Sequence, residues 1–136
     1  MFPIRTALTG YATLIAIGMT VFAGQASGQA QVPVPFGGEA EEDACGGLSE
    51  VARLDLRGDN FLAVRSGPGT SFAILDKLKN GQPVFVCAAV GNWRGIVYSK
   101  SGQTCGTGVS IMRRRAYDGP CLSGWVYRSY LEDIAG

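Results

Sequence analysis

Phe61-Leu62-Ala63-Val64-Arg65-Ser66-Gly67-Pro68-Gly69-Thr70-Ser71-Phe72 is the stretch that decides the fold. Leu62 and Val64 alternate as the buried face of a strand, and Arg65 points the other way. Behind them, Gly67 and Gly69 are expected to supply backbone angles that a Cβ resists, around a Pro68 that fixes φ. The loop is not a phosphate cradle, because no helix start with Lys and Ser/Thr follows it. Working outward, the apolar runs are short: Val51 to Leu56, Phe72 to Leu78, Val84 to Val90, Trp93 to Tyr98 and Trp125 to Tyr127. None is long enough for an ordinary helix. Gly58-Asp59-Asn60, Asn80-Gly81 and Gly91-Asn92 stand between them, and Asn-Gly between apolar runs is a strong hairpin signal. The pattern predicts an all-β chain, an antiparallel meander that buries one face by curling into a small barrel.

Leu62 to Thr70 reads Leu-x-Val-Arg-Ser-Gly-Pro-Gly-Thr with Ala63 at the variable position. Leu75-x-x-Leu78 with Asn80-Gly81, Val84-Phe85-Val86, Gly91-Asn92-Trp93, and Gly124-Trp125-Val126 leading to Tyr130-Leu131 follow in order. In these motifs the chain resembles a bacterial SH3 (SH3b) domain over roughly Val51 to Leu131. The resemblance implies an SH3-like antiparallel barrel and non-covalent recognition of extended peptides, peptidoglycan stem peptides among them. The departure is the stretch from Ser99 to Ser123. There the chain carries an insertion holding Cys105, Arg113-Arg114-Arg115 and Cys121, expected to lie outside the core strands.

The four cysteines, Cys45, Cys87, Cys105 and Cys121, are an even number in a small chain that carries an export signal, which reads as disulfides. Zinc is disfavoured, since no two cysteines have CxxC spacing and the chain has no histidine. Of the three pairings, Cys105 with Cys121 closes a short Gly-rich excursion, and Cys45 with Cys87 ties the domain entrance to a central strand. That pairing is the expected one.

The export signal is the N-terminus. Arg5 is the only charge before Glu39 and precedes a weakly apolar run from Ala7 to Ala23; small residues then recur up to Ala30, offering cleavage after Ala26 or Ala30. Thr, Gly and Ala dilute the run and no basic flank follows it, so a removed signal peptide is expected over a membrane anchor. The expected organisation is a signal peptide at 1–30, a flexible linker at 31–44 and the SH3b-like domain at 45–136, in a periplasmic or secreted protein.

The 136 residues, at roughly 100 to 200 per domain, hold one domain and a leader. A net charge of +1, from twelve basic and eleven acidic residues, argues against a nucleic-acid partner. The lack of histidine removes Ser-His, Cys-His and His-metal chemistry. The carboxylates from Glu39 to Asp43 sit on the expected linker, and Asp55, Asp59, Asp76 and Asp118 are scattered among turn residues. No catalytic residue, metal or cofactor is therefore expected.

For binding, an aromatic edge of Tyr98, Tyr127, Tyr130 and Phe72 is the main candidate, with Trp93 as a groove-lining indole and Arg65 as a fork for a carboxylate. The commoner use of Arg65 is to brace its own turn, and that of Trp125 is packing. Arg113-Arg114-Arg115 reads as a solvated run. The rival to a peptide-binding module is a structural protein of the envelope that docks a partner through the inserted loop. An open groove suits a ligand; a groove filled by the Cys105 to Cys121 loop suits docking.

Overall fold

A computed structural model describes residues 10, 13–16, 18–19, 29–39, 41–58 and 60–135. Among the described residues nine strands are formed: β1 (Pro35–Phe36), β2 (Gly47–Val51), β3 (Leu62–Arg65), β4 (Ile74–Leu78), β5 (Pro83–Val90), β6 (Trp93–Tyr98), β7 (Arg115–Ala116), β8 (Leu122–Tyr127) and β9 (Leu131–Ala135). A 3-10 turn over Arg128–Tyr130 joins the last two. Seven strands make one antiparallel sheet in the order β4-β3-β8-β6-β5-β2-β9, and β1 pairs separately with β7. The all-β, SH3-like barrel expected from the sequence is the fold observed. Gly91-Asn92 does close a hairpin, between β5 and β6, whereas Asn80-Gly81 turns the chain from β4 to β5, two strands that do not pair; Gly81 at φ 89° and Gly91 at φ 55° take angles open to glycine at little steric cost.

The sheet curls around Val51, Leu54, Leu62, Val64, Leu78, Val84, Ile96, Tyr98 and Val126, which fill the barrel. Alternation explains the set: Leu62 and Val64 of β3, and Ile96 and Tyr98 of β6, lie two apart and face the same way. Tyr98 is 2% exposed, and its hydroxyl donates to Asp76 Oδ2 at 2.7 Å, while Lys100 Nζ lies 2.6 Å from Asp76 Oδ1. Burial opposes ionisation of Asp76, but the bonds from Lys100, Tyr98 and the Lys77 amide outweigh it and hold the carboxyl below its usual range. Burial, and next the same carboxylate, pushes the Tyr98 hydroxyl up, so the tyrosine stays protonated.

A second apolar cluster lies on the other face of the sheet. Val34, Phe36, Ala44, Cys45, Cys87, Ala88, Val97, Cys105 and Trp125 compose it, with Tyr117 and Ile111 packed against it. Two expectations are corrected here. Residues 31–44 are not simply a flexible linker, for Val34 is 2% and Phe36 3% exposed, Val32 N donates to Ser66 O at 2.7 Å, and Trp125 Nε1 donates to Val32 O at 2.8 Å. The apolar residues of Val-Pro-Val-Pro-Phe supply the cover that the outer face of β6 and β8 lacks. Nor does the insertion stand outside the core. Cys105 is 4% exposed, β7 pairs with β1, and Tyr117 meets Phe36 edge-on with ring centres 5.2 Å apart.

Both disulfides pair as expected, Cys45 with Cys87 and Cys105 with Cys121. The register of β5 on β6 shifts between Val86 and Ala88, so Cys87 is an extra residue that a bulge turns toward the second cluster. The signal peptide expected at 1–30 falls largely outside the described residues; within that range Leu14, Ile15 and Met19 are exposed. Among the described residues no helix is long and apolar enough to cross a membrane.

Candidate functional site

Where β6 begins and β8 ends, against β3 and the loop after it, lies a cleft of about 610 Å³, within the range of ligand pockets. Trp93 opens β6 and Tyr127 closes β8, and the two are cross-strand partners with ring centres 5.6 Å apart at 77°. Tyr130, on the 3-10 turn, stands 6.5 Å from Tyr127. These three rings form one wall with Arg65 beside them, and Leu54, Asp55, Asn60 and Phe61 form the other.

Several residues hold the wall in place. Arg65 Nη1 donates to Thr70 O at 3.0 Å and Phe72 O at 2.9 Å, so it does brace its own loop, while its Nε and Nη2 have no partner among the described residues. Arg53, at φ 62°, donates from Nε to Ser129 O and from Nη2 to Leu131 O, and Ala52 N bonds Tyr130 O; together they fix the turn that carries Tyr130. An arginine in left-handed backbone is uncommon, and here its side chain offsets the strain.

Of the six binding residues expected from the sequence, the structure brings Arg65, Trp93, Tyr127 and Tyr130 to one cleft. Tyr98 is not on this edge. It lies on β6 at an even offset from Ile96, which turns it into the barrel, and its hydroxyl is spent on Asp76. Phe72 is also displaced: its ring lies over Gly67 and Gly69, where a Cβ on Gly67 would collide with it. Those two glycines thus serve by leaving space for Phe72; neither has a positive φ, contrary to the sequence expectation. Trp125 is 1% exposed and packs. The residues missed are Leu54, Asp55, Asn60 and Phe61, because Gly58-Asp59-Asn60 carries only a turn signal and says nothing of the groove it borders. Asp55, which lines the cleft, accepts from Arg57 N at Oδ1. Among the described residues no group of three or more His, Cys, Asp or Glu is placed to hold a metal.

The bacterial SH3 domain pattern matches residues 60–132, more than half of the chain and the whole of the stretch from β3 to the start of β9. The chain belongs to the bacterial SH3 domain family. No curated protein and no solved structure matches it at a significant level. Members of this family are binding domains, so the SH3b barrel here is a bacterial binding module. The cleft borders the Arg-Ser-Gly-Pro-Gly-Thr loop by which the family is recognised, and its other wall comes partly, and the strap of residues 32–36 wholly, from residues before 60.

Proposed function

We propose that the protein is an exported, non-catalytic SH3b module that binds an extended peptide, of the kind carried by peptidoglycan, in the Trp93–Tyr127–Tyr130 cleft. The observation that carries this reading is that the three aromatic rings and a braced Arg65 line one open cleft. Trp and Tyr rings give a peptide apolar contact with polar atoms at their rims. Arg65 offers its free N–H groups to a carbonyl or carboxylate, and Asp55 an oxygen to an ammonium or amide. A chain of mixed charge such as a wall peptide meets both.

No residue of the 99–123 insertion lines the cleft; the insertion packs Cys105, Ile111 and Tyr117 into the cluster of Val34 and Phe36 instead. An open groove supports the ligand reading over partner docking through that loop. Export is supported by two disulfides, which persist in oxidising compartments, and by the n-region and h-region of the leader. Mass spectrometry of the protein from its native envelope tests export: a chain beginning between Ser27 and Val34 is expected, and an intact Met1 in the membrane fraction contradicts it. Binding is tested by titrating soluble wall peptides while following the indole signal of Trp93 against a Trp93→Phe control.

A further inference from the structure

Arg94 follows Trp93 on β6 and so projects to the opposite face of the sheet, the face of Ile96 and Tyr98 that lines the barrel. There it meets a second cleft, of about 700 Å³, at the mouth of the barrel. Its apolar floor is Val86 and Leu131, both packed against the barrel core, with Ile134 beside them. Arg94 Nη1 donates to Gly91 O at 2.9 Å and Trp93 O at 3.0 Å, which fixes the guanidinium. Its Nε and Nη2 have no partner among the described residues. The backbone N–H of Arg128 donates to Asn92 O at 2.9 Å, so Arg128 is anchored to the same Gly91-Asn92 turn and lines the same cleft. The Arg128 side chain makes no hydrogen bond or ion pair among the described residues. Asp133 is the one acidic residue of the lining, and its Oδ1 accepts from the Ser49 hydroxyl at 2.7 Å, while neither arginine pairs with it.

We propose that this cleft is a second binding site, separate from the aromatic one, for a small carboxylate or phosphate group carried on an apolar moiety. The Arg94 guanidinium, fixed on the turn, and the Arg128 side chain, whose backbone is held to the same turn, line one cleft without an acidic partner, a pair suited to a planar carboxylate or a phosphate. Val86 and Leu131 then cover the apolar part, which an inorganic anion lacks. The two clefts lie on opposite faces of one strand, through Trp93 and Arg94, so the second site stands whether or not the aromatic cleft binds peptide.

The test uses the full chain and three probes, N-acetyl-leucine, N-acetyl-leucinamide and inorganic phosphate, followed by NMR of the arginine Nε–H, leucine and valine methyl and indole signals. N-acetyl-leucine is expected to move Arg94, Arg128, Val86 and Leu131 and to leave the Trp93 indole in place, and the uncharged amide to move none of them. Phosphate moving the same arginines without the methyls assigns the phosphate arm as well; phosphate without effect assigns the site to carboxylates. Arg128→Gln, whose side chain braces nothing, is expected to keep the fold and weaken N-acetyl-leucine about tenfold, the loss of one charge-assisted bond. Equal responses to acid and amide, an unchanged Kd in Arg128→Gln, or shifts confined to Trp93 would each overturn the proposal.

Discussion

Val64 in the barrel and Val34 in the strap are buried to nearly the same extent, 0% and 2% exposed, but by different routes. Val64 is placed by a strand of the main sheet, paired with β4 a hairpin away and flanked on its other edge by β8. Val34 is placed by a stretch with only two strand residues, held across the sheet by bonds to distant groups: Val32 to Ser66 and Trp125, Tyr117 N to Val34 O, and Gly38 N to Ile111 O. All four cysteines lie in or against the irregular layer. A regular sheet satisfies its backbone by its own ladder, whereas an irregular layer must find partners one by one, and cross-links reduce the entropy it loses on folding. The insertion and the strap are two halves of one structure, since each buries the apolar side chains of the other.

The sharpest way to break this comparison is to empty the layer. Phe36→Ala should destabilise the protein by about 3 to 5 kcal/mol, as much as Leu62→Ala in the barrel at about 2 to 5 kcal/mol. Urea unfolding of both variants decides it. A Phe36→Ala cost below about 1 kcal/mol, within the range of surface substitutions, would return residues 31–44 to the status of a linker.

The disulfides come next. The bridges span 42 and 16 residues. On loop entropy alone, replacing the Cys45–Cys87 pair should cost about 4 kcal/mol and the Cys105–Cys121 pair about 3 kcal/mol. The order matters more than the values, and a reversal would mean that the insertion, not the strap, anchors the layer.

Asp76 sharpens the contrast from the barrel side. Asp76→Ala leaves the buried Tyr98 hydroxyl without its acceptor and should cost about 1 to 3 kcal/mol. Because the carboxyl of Asp76 is held below its ordinary range, its contribution is present above the unfolded pKa near 3.9 and is lost as pH falls through the lower folded value. Acid unfolding of Asp76→Asn should therefore fall less steeply below about pH 4 than that of the native chain. Equal slopes would remove Asp76 from the account.

How much of this was legible follows the same division. The barrel was readable because Leu62, Val64 and Gly91-Asn92 signal locally, within a few residues of where they act, while Asn80-Gly81 marked a turn but not the pairing, since β4 and β5 lie apart in the sheet. The disulfide pairing was readable because four cysteines allow only three pairings, and one of them closes a short Gly-rich excursion. The strap was not, since Val-Pro-Val-Pro-Phe beside Gly-Gly has no period, and only the uncovered face of β6 and β8 gives its valines and phenylalanine somewhere to go. Tyr98 was misplaced because an edge tyrosine and a core tyrosine look alike until parity along β6 is set by Ile96. Half of the cleft was missed for a third reason: Leu54 N bonds Asn80 Oδ1 and Lys79 Nζ bonds Asn60 O, contacts between residues 26 and 19 apart that leave no local mark.

The smallest stability effects belong to the cleft. Tyr127→Ala gives up an edge-on contact with Trp93 worth about 0.5 to 1.5 kcal/mol beyond area, and should leave both clusters folded. Replacing Arg113, Arg114 and Arg115 together with Ser should change the salt dependence of any binding more than its strength, as Arg114 and Arg115 make structural contacts to Gly37 O and the Phe36 ring.

The measurement that bears most directly on the central claim is the affinity of the native chain and of Tyr127→Ala for soluble wall peptides, by calorimetry at one moderate salt concentration. The account predicts saturable binding by the native chain, weakened by about 1 to 3 kcal/mol in a Tyr127→Ala variant that melts cooperatively. An unchanged affinity in that folded variant, or no binding by the native chain, would contradict it.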